Sequence, residues 1–190
     1  MKKSLILLSF FILASGMLSA EEKAPLDFGF HVLGGGRYDD VRMCVGSPAG
    51  VKGGPIMDVY FDIVMRISDS SAVVLNLPLM RPVLFGAAFR MLQFEPQMTY
   101  EYTFLESGFV VGGGAGAVFH YGPDYESSLD DRSEDFFAAG PLFSASVGRR
   151  IEAGQGYWMP GIKVFYAPLF SAEKDFGQVL GAALELHYRF

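Results

Sequence analysis

The chain has 190 residues, of which 51% are hydrophobic, 15% aromatic and only 19% charged, a length that suits one domain and a composition that excludes disordered, collagen-like and coiled-coil classes. Its 15 basic residues face 21 acidic ones, for a net charge of −6, so no broad positive field gathers phosphate backbones and nucleic acid is not an expected partner. After residue 20 no stretch reaches the roughly 18 uninterrupted apolar residues of a membrane-spanning helix.

Residues 1–20 read as a secretory signal: Lys2 and Lys3 precede the apolar run Leu5 to Leu13, and Ser15-Gly16-Met17-Leu18-Ser19-Ala20 supplies small residues for cleavage. Residues 21–190 then form the folded domain, and loss of the two lysines takes the net charge from −6 to −8. No cysteine directly follows the apolar run, as a lipoprotein signal would require. Cys44 is the only cysteine, so no intrachain disulfide can form in an oxidising compartment.

From residue 26 onward the dominant period is two. Leu26 to Val32 forms a first, weaker alternation. In the second segment Met57, Val59, Phe61, Ile63, Met65 and Ile67 alternate with Asp58, Tyr60, Asp62, Val64 and Arg66, which predicts a strand with one apolar and one mostly polar face. Val73 to Leu79 follows. Between residues 93 and 104, Phe94, Met98, Tyr100, Tyr102 and Phe104 oppose Glu95, Gln97, Thr99, Glu101 and Thr103. Phe109 to Tyr121, Pro141 to Val147 and Trp158 to Tyr166 continue the pattern, and Leu180, Ala182, Leu184, Leu186, Tyr188 and Phe190 close it against Gly181, Ala183, Glu185, His187 and Arg189.

The connections alternate strictly between short (68–71, 105–107, 152–156) and long (35–54, 82–91, 122–140, 170–177). That alternation predicts an all-β, eight-stranded antiparallel up-and-down barrel with every long connection at one end. A soluble barrel places apolar residues inside, but the lumen of eight strands is too narrow to hold these rows of Phe, Leu, Ile, Met and Tyr. Turned outward, the same rows form a lipid-facing band and the polar rows meet in the lumen, which predicts a transmembrane barrel.

At this point the sequence resembles the small eight-stranded bacterial outer-membrane barrels of the OmpX, OmpW and OmpA-barrel kind, with only a loose match to OmpW. The motif that carries the resemblance is the C-terminal strand, in which Leu184, Leu186, Tyr188 and the terminal Phe190 look like the signal read by the barrel assembly machinery. The resemblance implies a multi-pass location in the outer membrane, with long connections outside and termini in the periplasm. Outer-membrane lipid and the assembly machinery are the implied partners.

A lumen charge network is expected from Asp58, Asp62, Arg66, Glu95, Glu101, Arg150, Lys163, Glu185 and Arg189, either as a salt-bridged plug or as a gated polar path. Gly112, Gly114 and Gly116 fall on the inward face, a strip either filled by larger groups from the opposing wall such as Arg66 or Arg150 or left as a cavity. Val83, Leu84, Phe85 and Phe89 make the second long connection unusually apolar, either as a greasy mouth for a small apolar solute or as extensions of the flanking strands. The acidic connection with Asp124, Glu126, Asp130, Asp131, Glu134 and Asp135 matches no EF-hand spacing. No cofactor or metal is expected.

Three functions follow: a narrow or gated channel for small, hydrophobic solutes; a structural or surface-interaction protein with a plugged lumen; and a lipid-modifying enzyme. The enzyme is the least favoured, because His31, His120 and His187 are each followed by residues that break the His-x-Ser arrangement of outer-membrane deacylases.

Overall fold

A computed structural model describes residues 26–39, 54–80, 92–123, 135–171 and 177–190. Ten strands build the wall: β1 Leu26–Asp39, β2 Gly54–Ser68, β3 Ser71–Met80, β4 Leu92–Phe94, β5 Gln97–Phe104, β6 Phe109–Pro123, β7 Asp135–Arg149, β8 Ile151–Ala153, β9 Gly156–Ser171 and β10 Gly177–Arg189. β4 and β5 are one wall strand interrupted at Glu95-Pro96, since both pair with β6 and Pro96 has no N–H to give the ladder. β8 likewise continues β7 past Arg150 and pairs with β9. The wall therefore has eight staves, each antiparallel to its neighbours, and the sheet closes where β10 pairs with both β9 and β1.

The closing seam runs from Gly29 opposite Arg189 to Asp39 opposite Val179. It ends in a reciprocal pair of backbone hydrogen bonds between Phe28 and Phe190, at 3.2 and 2.9 Å. Two of the short connections turn on glycines with positive φ, Gly108 at 71° and Gly154 at 65°, a conformation that side chains resist.

Strands are longer than the sequence pattern predicts at the end that carries the long connections. β1 continues through Gly34-Gly35-Gly36 to Asp39, and β7 begins at Asp135 instead of Pro141. Gly35 explains the first extension: a Cβ there would meet the backbone of Ala182 and Ala183, so the glycine lets β1 lie close against β10.

The polarity is inverted. Among the described residues fifteen polar or charged ones are buried against fourteen hydrophobic ones, while thirty large hydrophobic side chains are exposed. On β10, Leu184 is 68% exposed and its neighbour Glu185 6%. Rings band the outer wall near the short turns, with Phe61 5.9 Å from Phe28 and 5.3 Å from Phe30, and Trp158 4.7 Å from Tyr188.

The interior is not polar throughout, as the alternation alone predicts. Toward the long connections Val118, Ala138, Leu142, Phe165, Ala167, Leu169 and Val179 form a buried apolar layer. The Phe165 ring fills the space over Gly181, where any Cβ would overlap it.

Candidate functional site: the charged lumen

The short-turn half of the lumen is organised around Asp62, which is wholly buried. β2 presents it inward opposite Gly29 of β1 and Asn76 of β3. Its Oδ1 accepts from His31 Nδ1 at 2.8 Å and from Asn76 Nδ2 at 2.7 Å, and its Oδ2 lies 3.1 Å from His187 Nδ1. Thr99 in turn donates to Asn76 Oδ1 at 2.8 Å. A hydrogen-bonded belt thus passes through five adjacent strands, as satisfaction of buried polar groups demands.

His31 is in direct register with both Tyr60 and His187. The three rings accordingly stack across the wall, with centroids 4.5 and 4.3 Å apart. Lys163 Nζ stands 5.7 Å over the Tyr60 ring, and Glu185 Oε1 is 3.4 Å from His187 Nε2.

Two arginines cross the bore. Arg189 of β10 donates to Glu101 of β5 through both terminal nitrogens, at 2.6 and 2.7 Å. In the strand order β10-β1-β2-β3-β5 these residues are four staves apart, so the pair spans the diameter of an eight-stave wall. Nearer the long connections, Arg37 of β1 donates to Gln93 and Glu95, each at 3.3 Å, and its other terminal nitrogen is 3.4 Å from His120 Nε2.

Of the nine expected lumen charges, Asp58, Asp62, Glu95, Glu101, Lys163, Glu185 and Arg189 are buried on the inward face. Arg66 and Arg150 are not part of this interior. Arg66 bonds Asp27 at 2.6 Å with a half-exposed side chain, and Arg150 bonds Glu152 at 2.6 Å while lying 4.2 Å over the Tyr157 ring. Both stand within a residue or two of a short turn, where water reaches the rim and no cross-lumen partner is needed. Neither reaches the glycine strip. A Cβ on Gly112 or Gly114 would meet Ser146 Oγ at 2.6 Å or Ser144 Oγ at 2.5 Å, and Thr99 approaches both; small side chains of adjacent strands therefore close over the strip.

Sequence reasoning did not assign Arg37, Gln93, Asn76 or the three histidines to the network. The signal was available in parity: Arg37 and His31 share the odd positions of β1, and His187 shares those of β10 with Glu185 and Arg189. Arg37 escaped because the glycine run before it reads as a loop. The Ser144 hydroxyl donates to Gln97 at 2.9 Å, not to an imidazole. Val83, Leu84, Phe85 and Phe89, Cys44, the signal segment and most of the acidic connection lie outside the described residues.

No family model matches the chain, and no curated protein matches it. Among solved structures it is similar to the crystal structure of Neisserial surface protein A, with a TM-score of 0.58 and 10% identity over 86% of this chain and 95% of that one. It also matches the N-terminal β-barrel domain of Pseudomonas aeruginosa OprF, with a TM-score of 0.47 and 10% identity over 85% of this chain and 97% of that one. The first likeness supports a closed eight-strand antiparallel barrel. At this identity it reports fold, not chemistry.

Proposed function

We propose that the chain is a bacterial outer-membrane barrel with a plugged lumen, acting through its lipid-facing wall and the connections it holds outside and not as an open pore. The observation that carries this reading is the cross-lumen Arg189–Glu101 pair, 1% and 9% exposed at the side chains, with the Asp62 belt beside it and the apolar layer farther along. Opening a path means separating a buried bidentate ion pair and repacking that layer, which favours the structural or surface-interaction reading over a channel for small apolar solutes.

The membrane half of the proposal rests on the outer wall. At half the full-burial value of about 1.5–3 kcal/mol per large side chain, lipid contact by thirty such side chains is worth roughly 20–45 kcal/mol. That exceeds the usual net folding stability of about 5–15 kcal/mol. The outward row Leu184, Leu186 and Phe190, with Tyr188 at the seam, supports engagement of the assembly machinery through β10. Long connections outside and termini in the periplasm complete the proposed orientation.

Reconstitution into planar bilayers tests the plug. The wild-type chain is expected to be silent, and Arg189→Ala with Glu101→Ala to give discrete events; steady single-channel steps from the wild type overturn the reading. Brominated lipid tests the membrane assignment through the single tryptophan, Trp158, whose ring faces outward: strong quenching in vesicles is expected, and none contradicts it.

A further inference from the structure

We infer that the His31–Asp62–His187 cluster is a divalent transition-metal site that staples the closing seam of the barrel. One ligand atom from each residue lies within 4.8 Å of the others, and all three residues are buried. The two Nδ1-to-carboxylate separations are 2.8 and 3.1 Å. Ligand bonds of about 2.0–2.1 Å in a tetrahedral zinc site give ligand-to-ligand edges of roughly 3.3 Å. These two edges, one to Oδ1 and one to Oδ2, open by a few tenths of an ångström around an ion, and the remaining edge lies within 4.8 Å, with the fourth position left to water. Two imidazoles and one carboxylate suit zinc, nickel or cobalt better than calcium or magnesium, which take oxygen ligands.

The surroundings supply part of what a metal site requires of its supporting groups. Metal-bound histidines commonly donate their second nitrogen to a carboxylate, and His187 Nε2 is 3.4 Å from Glu185 Oε1. The ligating carboxylate is itself held, by the 2.7 Å bond from Asn76, which Thr99 fixes in turn. Neither His31 Nε2 nor His187 Nε2 makes a hydrogen bond among the described residues, so the Glu185 contact is one of charge and distance.

Charge supplies a separate argument. Among the described residues the buried interior holds five carboxylates (Asp58, Asp62, Glu95, Glu101, Glu185) and three fixed cations (Arg37, Lys163, Arg189), an excess of two negative charges before any histidine is counted. One divalent ion balances it. Arg189 borders the site: its terminal nitrogens are held on Glu101 at 2.6 and 2.7 Å, and one of them also stands 3.4 Å from His187 Nδ1 and 3.6 Å from Asp62, so metal uptake requires the guanidinium to stay on Glu101. Because His31 belongs to β1 and His187 to β10, paired directly across the seam, the ion joins the first and last strands, and binding is coupled to closure.

The test uses the chain folded in detergent micelles, stripped with chelator and titrated with Co²⁺, then Zn²⁺. The expected result is one Co²⁺ per chain with visible ligand-field absorption, displaced by Zn²⁺. At a free ion concentration a hundredfold above Kd, the folding equilibrium should shift by roughly a hundredfold. His31→Ala and His187→Ala should abolish the absorption, whereas His120→Ala, in the Arg37 group, should retain it. If an alanine variant does not fold, His187→Gln is read in its place. Absence of a Co²⁺ spectrum in the wild type, or uptake unchanged in His31→Ala and His187→Gln, overturns the inference and leaves protonated histidines to balance the lumen. The readout does not depend on whether the barrel conducts.

Discussion

Breaking the strut across the bore should be asymmetric in a way that the geometry fixes. Arg189→Ala strands Glu101, whose two carboxylate oxygens accept from the two terminal nitrogens of that arginine. Asp62, by contrast, keeps His31, His187 and Asn76. Removing one member of a buried ion pair costs about 3–5 kcal/mol, because the survivor remains desolvated without compensation. The reverse change, Glu101→Ala, leaves Arg189 within 3.6 Å of Asp62 and 3.5 Å of the Tyr157 hydroxyl, so a loss of about 1–3 kcal/mol is expected. Replacing both by Arg189→Met and Glu101→Leu removes the buried charges together and should return stability to within about 1 kcal/mol of wild type. Urea unfolding of the vesicle-inserted barrel, followed by Trp158 emission and by gel mobility with and without heating, measures all three. A cost below about 0.5 kcal/mol for Arg189→Ala, within the ordinary range of surface substitutions, would refute the strut, as would a double variant no better than the worse single one.

Glycine position within β6 should decide sign. Gly116→Ala brings a Cβ to 2.7 Å from Gln97 Cα and into the Pro96 carbonyl, a backbone clash costing about 1–3 kcal/mol, whereas Gly113 faces open space and Gly113→Ala should be neutral or stabilise by up to about 1 kcal/mol; the same urea titration compares them. Gly29→Ala puts a Cβ 2.6 Å from the Tyr188 carbonyl and 2.7 Å from Arg189 Cγ, so it should slow folding into vesicles, measured as the rate at which the fast-migrating folded band appears. Leu184→Arg, at a 68% exposed site near the middle of β10, should cost about 2–4 kcal/mol in a bilayer and much less in a short-chain detergent. Equal costs in the two media would argue against lipid contact at that face.

The fold was legible because period two is local and recurs: parity within β2 and β10 separates Asp62 from Ile63 and Glu185 from Leu184 without any tertiary information. The strand ends were not legible, because Gly34-Gly35-Gly36 reads as a turn until Ala183 is seen against Gly35. The site was legible in composition but not in pairing. Parity puts Glu101 and Arg189 in one lumen, yet the three staves between them must close before they meet, and no local pattern encodes that distance. Arg66 and Arg150 failed for a related reason: parity fixes direction, not depth, and inward-facing positions beside a short turn remain wet. The apolar layer around Phe165 and Leu169 shares its β9 parity with Lys163, so alternation does not distinguish it from the charged layer.

These two layers divide the work of specifying the barrel. The outer wall is almost uniform, and a one-residue slip of β1 against β10 would exchange one strand's faces while leaving many apolar contacts in place. The same slip would drive His31 and Arg37, or Glu185, His187 and Arg189, toward the lipid, at about 2–4 kcal/mol for each cation near the midplane. The buried charges therefore do more for register than for net stability, since a buried pair offers little over apolar residues of equal volume. On that account the Arg189→Met and Glu101→Leu pair, though nearly as stable as wild type, should close its seam less faithfully, and cysteine cross-linking between positions 32 and 186, opposite one another in β1 and β10, should report a second register in the variant alone.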